Sequence, residues 1–320
     1  MLILGDSATS RAESLSTYGE NPHQKAALYR KLDTDPDDLI NNEQHSGKEL
    51  SFKNIANMDC AYDLAREFST PACVVVNHNN PCGVGLAKTL SQAYEKALLI
   101  DPAIVLDSVI AVNRPVDAEF AHLLVDNAVK VVIAPSFLAD AFVICKKSKH
   151  LRLIKILKWG YKTEKLNLDY KSIGGGLLVQ EKSPCRMPSD QANVVTERKP
   201  APNELRSLDL GRRVVKHAKS YAVAFARNNH IVAIGVGQPN QTHAIEFAIH
   251  KALRRNLSLK GTALASDDSF LSRDCIDIAA QAGVTAVVQP LPNKRDKKMI
   301  QAADQHNLAM IFSHTRHYCQ

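Results

Sequence analysis

The sequence predicts an α/β fold, layered around a largely parallel sheet and holding two related units in one chain. Three observations carry that expectation. Short apolar runs rich in β-branched residues alternate with stretches of helical spacing, from residue 57 to residue 134 and again from 205 to 312. Each half has a helix feeding an apolar strand that ends in a polar, glycine-containing loop, at 57–85 and at 205–238. The length of 320 residues accommodates two units of ordinary size.

In the first half, Met58, Ala61, Leu64, Ala65 and Phe68 share one helical face, with Asn57 as the expected N-cap and Pro71 as the stop. Residues 72–76 read as a buried strand, 89–99 as a helix capped by Thr89, and 105–112 as a second strand. A helix at 115–126 and a strand at 129–134 complete this half. The basic stretch 145–170 and the Pro-rich polar stretch 184–202 read as the connection between units. In the second half, a helix at 205–219 leads to paired strands at 221–226 and 231–236 around an Asn228-Asn229 turn. Helices at 243–253, 273–281 and 296–304 then alternate with strands at 262–265, 284–289 and 308–312. The expected division is residues 1–160 and 161–320.

Composition narrows the function class. No run of 18 apolar residues occurs, so no membrane span is expected, and residues 1–6 lack the basic and apolar regions of a signal peptide. Seven scattered cysteines without a CxxC pair fit reduced thiols and a cytoplasmic location. The net charge of +7 suits anionic small molecules. The basic residues are dispersed and aromatics are only 6%, which argues against a nucleic-acid surface.

Two loops concentrate amides, imidazoles and turn-formers beside apolar runs: Tyr18-Gly19-Glu20-Asn21-Pro22-His23-Gln24 and Asn77-His78-Asn79-Asn80-Pro81-Cys82-Gly83. Zinc is disfavoured at the second. His78 with Pro81-Cys82 matches part of the H-x-E…P-C-x-x-C pattern, but Asn80 stands where the glutamate belongs and the second cysteine is missing. The short glycine loops Gly174-Gly175-Gly176 and Gly235-Val236-Gly237-Gln238 fit neither a Walker motif nor GxGxxG. They read as turns, or as places where backbone N–H groups approach a phosphate.

These loops resemble one family. The 18–24 segment is similar to the R-Y-G-E-N-P-H-Q motif of AICAR transformylase, the second domain of a bifunctional purine biosynthesis protein. Residues 47–56 resemble its G-K-x-L-S-Y-N-N-I stretch, and residues 71–83 its P-A-C-V-I-V-K-H-x-N-P-C-G. Gly175 to Gln180, Gly235 to Gln238, Ala265-Ser266-Asp267, Arg273-Asp274 and Arg316-His317 follow in order. The resemblance runs from about residue 15 to the C-terminus and leaves the family's cyclohydrolase domain unrepresented.

The resemblance implies two three-layer α/β/α units similar to the cytidine deaminase fold, without zinc, in a homodimer with sites at the interface. It implies formyl transfer from 10-formyltetrahydrofolate, as cosubstrate rather than tightly bound cofactor, to the 5-amino group of AICAR. That amine is a poor nucleophile, so the site must take its proton and stabilise an oxyanion. In the family a histidine moves the proton and an adjacent lysine supplies charge. His78 keeps the histidine, and Asn77 replaces the lysine. Tyr18, Gly19, His23, Lys48, Asn80, Gly175, Gly176, Gln238, Asp267 and Arg316 are the expected contacts to an AICAR-like nucleotide and folate. Lys48 is one candidate to supply the missing charge. Other family positions change as well: Thr17, Ser172, Tyr221 and Gln241 depart from its pattern, and Asp107 and Asp268 are expected to bring negative charge to the pocket. The alternative to formyl transfer is a paralogue with a binding or regulatory role, or a transferase with another acceptor.

Overall fold

A computed structural model of the chain describes residues 9–11, 19–21, 23–31, 38–160, 168–181, 193–290, 296–313 and 315–319. Strands β1 (Thr9–Arg11) and β2 (Tyr29–Lys31) form a small antiparallel pair. The first half then runs β3 (Asn42–Ser46), α1 (Phe52–Ala65), β4 (Ala72–Asn77), β5 (Asn80–Leu86), α2 (Leu90–Leu98), β6 (Val109–Val112), α3 (Ala118–Asp126), β7 (Val131–Ala134), α4 (Ala139–Lys146) and β8 (Arg152–Ile156). A separate hairpin follows, β9 (Leu168–Ile173) with β10 (Gly176–Glu181). The second half is β11 (Asn193–Val194), α5 (Pro202–Val215), β12 (Val223–Arg227), β13 (His230–Gly235), α6 (Gln241–Arg254), β14 (Ala263–Ser266), α7 (Asp274–Gln281), β15 (Ala286–Gln289), α8 (Asp296–Gln305) and β16 (Ala309–Phe312).

One twelve-stranded sheet carries both halves, in the order β11-β16-β15-β14-β12-β13-β5-β4-β6-β7-β8-β3. The α/β class expected from the sequence is therefore observed. The sheet is mixed rather than largely parallel. Strands β6-β7-β8 and β14-β15-β16 are parallel, while β4 and β12 run antiparallel to both neighbours. The physical reason is a tight hairpin in each half. The segment after Asn77 is not the loop expected but a returning strand, β5, reached through a two-residue turn. Hairpins connect antiparallel neighbours, whereas parallel ones need a crossover.

Alternation of side chains across the sheet sorts the layers. Val74, Val76, Val109 and Ala111 face α1 in a core that also holds Leu208, Val214 and Val215 of α5. Cys73, Val75, Ile110 and Val112 face the opposite way, against α2, α3 and α4. Val223, Phe225, Leu264 and Val287 do the same against α6, α7 and α8. Helices α1 and α5 thus lie together on one face of the sheet, and the other six cover the opposite face.

Several boundaries differ from the sequence expectation. Helix α1 starts at Phe52 because Ser51 and Asn54 form a capping box; Asn57 lies inside the helix and is buried. Residues Pro102–Asp107 form a 3-10 turn capped by Asp101, so β6 begins only at Val109. The stretch read as a connection, 145–170, contains β8, a full member of the sheet: its Leu153, Ile154 and Ile156 are buried while Arg152 and Lys155 reach solvent at the rim. The alternation of charge and apolar residues hid it as a basic segment.

Glycines set how closely helices lie on the central hairpins. A Cβ on Gly83 or Gly85 of β5 would sit 2.2 Å from the carbonyl oxygen of Ala97 or Ala93 in α2. One on Gly235 of β13 would sit 2.0 Å from that of Ala244 in α6. Only a residue without a side chain permits this backbone-to-backbone approach.

Candidate functional site

The turn between β4 and β5 consists of His78 (φ +51°) and Asn79 (φ +57°), both left-handed, as a type I′ hairpin requires. Asn and His enter that region more readily than bulky or β-branched residues, which explains their use here. The imidazole of His78 is exposed at the tip; Asn77 and Asn80 flank it as a cross-strand pair and are half-buried. From α1, Asn57 accepts a hydrogen bond from the Asn79 N–H at 2.8 Å. This tether was not legible in the sequence, where Asn57 reads as a cap.

The turn is also tied to the second half. The Lys219 N–H donates to Asn80 Oδ1 at 2.9 Å. The Lys219 carbonyl accepts from the Gly237 N–H at 2.8 Å, and Tyr221 and Gln238 exchange backbone hydrogen bonds at 3.1 and 3.3 Å. Ser220 pairs with Cys319 through its N–H (2.8 Å) and its Oγ (3.1 Å). Asp267, at the C-terminal end of β14, donates its N–H to Ala222 at 3.1 Å, and its carbonyl receives the His317 N–H at 3.4 Å. The structure therefore gathers Asn77, His78, Asn80, Gln238, Asp267 and Arg316 at one end of the sheet, where β14 and its parallel neighbours terminate. Ligands of open α/β sheets bind outside such carboxyl ends. Lys219 and Ser220 are the missed members: they contribute through backbone and hydroxyl groups in the loop between α5 and β12, which residue type does not announce.

The two acids expected to make the pocket negative are each matched by a cation. Asp268 binds Arg316 Nη2 at 2.7 Å. Arg316 also lies 4.8 Å from the Tyr318 ring centroid, and Tyr318 meets Tyr221 edge-on at 5.6 Å. Asp107 binds Lys53 at 2.5 Å and Lys130 at 3.3 Å, which hold its carboxyl below the usual range despite partial burial. Gln241 is buried and donates to the Ser269 carbonyl at 2.9 Å, so it is turned into the fold.

Asp267 itself is 1% exposed, and its carboxyl is pushed up to about 6, chiefly by burial and also by Asp268, with Ser220 and Ala222 opposing the shift. Its folded pKa thus exceeds the unfolded value of 3.8, so the native state holds the proton more tightly. Stability falls as pH rises from about 4 through about 6, and at pH 7 the penalty is on the order of 3 kcal/mol. Asp267→Asn is expected to stabilise the protein by about 1–3 kcal/mol at pH 7.5 and by much less at pH 4.5. Urea midpoints at the two pH values check this; an equal change at both would contradict it.

Other expected contacts lie elsewhere in the single chain. Lys48 is exposed, and its carbonyl accepts from Arg152 at the start of β8 (2.9 Å). Since β8 is three strands from β4, that places it roughly 14 Å across the sheet from His78's strand. Gly19 is buried in a local turn closed by its N–H to the Gln24 carbonyl at 2.6 Å, with His23 exposed beside it. Gly175 (φ +76°) lies in the exposed two-residue tip of the β9–β10 hairpin, and Gly176 opens β10 beside it. Tyr18 lies outside the described residues. An apolar cavity of about 370 Å³ between Ala26, Leu39, Leu50 and the outer side of α1 includes none of the candidate site residues. Among the described residues no group of three or more His, Cys, Asp or Glu is placed to hold a metal ion, and no helix is long and apolar enough to cross a membrane.

Comparison with known proteins decides the family. The model of the AICARFT/IMPCHase bienzyme family matches residues 6–251. The chain belongs to that family. As a member of the AICARFT/IMPCHase family it is 43% identical over 301 residues to the bifunctional purine biosynthesis protein PurH of Desulfitobacterium hafniense (strain DSM 10664 / DCB-2), covering 94% of this chain and 57% of that protein. It is 40% identical over 302 residues to PurH of Xylella fastidiosa (strain 9a5c), with the same coverage. The chain thus spans little more than half the length of these relatives. A solved deaminase/reductase of Thermotoga maritima shares 21% identity over 34% of this chain and 33% of its own, with a TM-score of 0.24, a likeness too slight to argue from.

Proposed function

We propose that this AICARFT/IMPCHase family member transfers a formyl group from 10-formyltetrahydrofolate to the 5-amino group of an AICAR-like nucleotide. The observation that supports this best is the tie between the His78 turn and the loops of the second half through Asn80 and Lys219. It presents an exposed imidazole over a rim of amide, carboxyl and guanidinium groups. In this reading His78 takes the amine proton as the nitrogen attacks the formyl carbon, and returns it to the leaving folate nitrogen. Asn77 offers an amide donor where the developing oxyanion forms. Folate is a cosubstrate and no resident cofactor is invoked.

The same proposal covers the assembly and the compartment. A homodimer is supported by the β9–β10 hairpin, whose Leu178, Val179 and Ile173 are exposed. A two-stranded hairpin standing alone is marginal in water and gains from a covering surface. Units of 1–160 and 161–320, each a three-layer arrangement of the cytidine deaminase type, are supported by the recurrence of helix, hairpin, helix and alternating strands in both halves. A cytoplasmic location fits the free cysteines among the described residues.

Asn77→Lys is expected to raise formyl transfer by roughly 10–10²-fold, since a donor aimed at an oxyanion is worth about 2.7–4 kcal/mol against none and the amide already recovers part of it. Tetrahydrofolate release with AICAR, for the parent chain beside the variant, is the test. Turnover in both supports the reading. Silence in both, with the fold intact, refutes it and favours a binding role.

A further inference from the structure

The two halves correspond at a constant spacing. Helix α1 spans Phe52–Ala65 and α5 spans Pro202–Val215. The hairpins bulge at the same place, between Val75 and Val76 and between Phe225 and Ala226. Glu67 meets its own counterpart, His217, 150 residues on, at 2.6 Å. The equivalent helix positions Asn57 and Ser207 each tether a turn, from donors one position apart: the Asn228 N–H donates to Ser207 Oγ at 2.7 Å, and the Asn79 N–H to Asn57 at 2.8 Å. Because β5 and β13 pair antiparallel at the centre, the Asn228 turn lies at the opposite end of the sheet from His78.

Beside that second turn is a cleft of about 200 Å³, lined by Ser69, Thr70, Arg206, Asp209, Arg213 and Asn228 among others. By the same spacing, Asn228 stands where His78 does, Ser69 and Thr70 where Lys219 and Ser220 do, and Arg206 and Arg213 correspond in sequence to Ala56 and Asp63. At these positions the second half thus carries two guanidinium groups where the first half has a small residue and an acid.

Arg206 Nε donates to Asn228 Oδ1 at 2.7 Å, which aims the guanidinium, and among the described residues its terminal nitrogens make no contact. Arg213 is fixed by Asp209 at 2.8 Å and by the Glu67 carbonyl at 2.5 Å. Arg114 donates to the Ser69 carbonyl and so fixes that segment of the cleft wall. The acids are already matched: Asp209 by Arg213 and by Arg212 at 3.1 Å, and Glu67 by Lys216 at 2.8 Å and by His217. The hydroxyl-bearing residues Ser69 and Thr70 are exposed.

We propose that this cleft is a second binding site, for a small oxyanion of the phosphate class. A guanidinium fork held by a side-chain amide is suited to such an anion. The cleft is smaller than the roughly 300–1,000 Å³ of sites for larger organic ligands, so it takes the anionic group rather than a whole nucleoside. The site is separate from the His78 turn and does not depend on formyl transfer.

Inorganic phosphate titrated into the full chain at low ionic strength tests this, with parallel titrations of Arg206→Gln, His78→Asn and Arg254→Gln. Arg254 is an exposed arginine elsewhere, on α6. The expected result is a phosphate-binding event weakened at least tenfold in Arg206→Gln and retained in the other two, with formyl transfer unchanged in Arg206→Gln. Crystals soaked in tungstate should show the heavy atom between Arg206 and Arg213. An isotherm unaltered by Arg206→Gln, an equal loss in Arg254→Gln, or tungstate only at the His78 end would each overturn the proposal.

Discussion

His78→Asn is expected to lower formyl transfer by about 10²–10⁴-fold, the usual worth of a positioned general acid–base group, while leaving stability within about 0.5 kcal/mol of the parent. The second half supplies the reason for choosing asparagine. Asn228 occupies the corresponding turn position with φ +46°, so the replacement suits a left-handed residue that the fold already uses. An alanine there would add backbone strain and confuse the outcome. The imidazole is exposed and no packing depends on it, so a loss of rate reports on proton transfer. Single-turnover tetrahydrofolate release and a urea titration on the same preparation are the measurements. A rate within tenfold of the parent, at unchanged stability, would remove His78 from the chemistry.

Gly235→Ala is expected to destabilise the fold by about 3 kcal/mol or more, at the upper end for overpacking. The added carbon would lie 2.0 Å from the Ala244 carbonyl oxygen and 2.9 Å from its carbon. Those are backbone atoms of α6, which cannot rotate away as a side chain can. Either the helix rides up from β13, forfeiting contacts of Ala244, Ile245 and Ala248 with Val232 and Phe225, or the strand shifts. A strand shift would move Gly237 and Gln238 and with them the Lys219 tie to Asn80. The variant should therefore lose activity along with stability. Gly174→Ala is the control: nothing lies within 4 Å of the added carbon. A thermal midpoint of Gly235→Ala within a degree or two of the control would show that helix and strand yield more easily than this packing implies.

The sequence by itself determined the class, the family and the order of most elements. Alternating apolar runs and helical spacings placed β4, β7, β12 and β16 within a residue or two, because buried strands and amphipathic helices leave a local record of burial. The Asn228-Asn229 turn was legible for the same reason: a short polar break between two apolar runs has few conformations open to it. The family motifs named His78, Asn80, Gln238, Asp267 and Arg316 as a set.

Tertiary structure decided what depends on partners distant in the chain. The pairing of β13 with β5 joins the halves into one sheet and sets the His78 and Asn228 turns at opposite ends. Nothing in either strand specifies its neighbour across 145 residues. The charge of the site was likewise a matter of approach: Asp107 and Asp268 read as added negative charge until Lys53, Lys130 and Arg316 came within ion-pair distance. Lys48, a candidate for the missing cation by residue type, is held several strands away from His78 by its bond to Arg152. A side chain's identity is written locally, but its electrostatic effect depends on which other groups folding brings within a few ångströms, where Coulomb interactions and desolvation are strong.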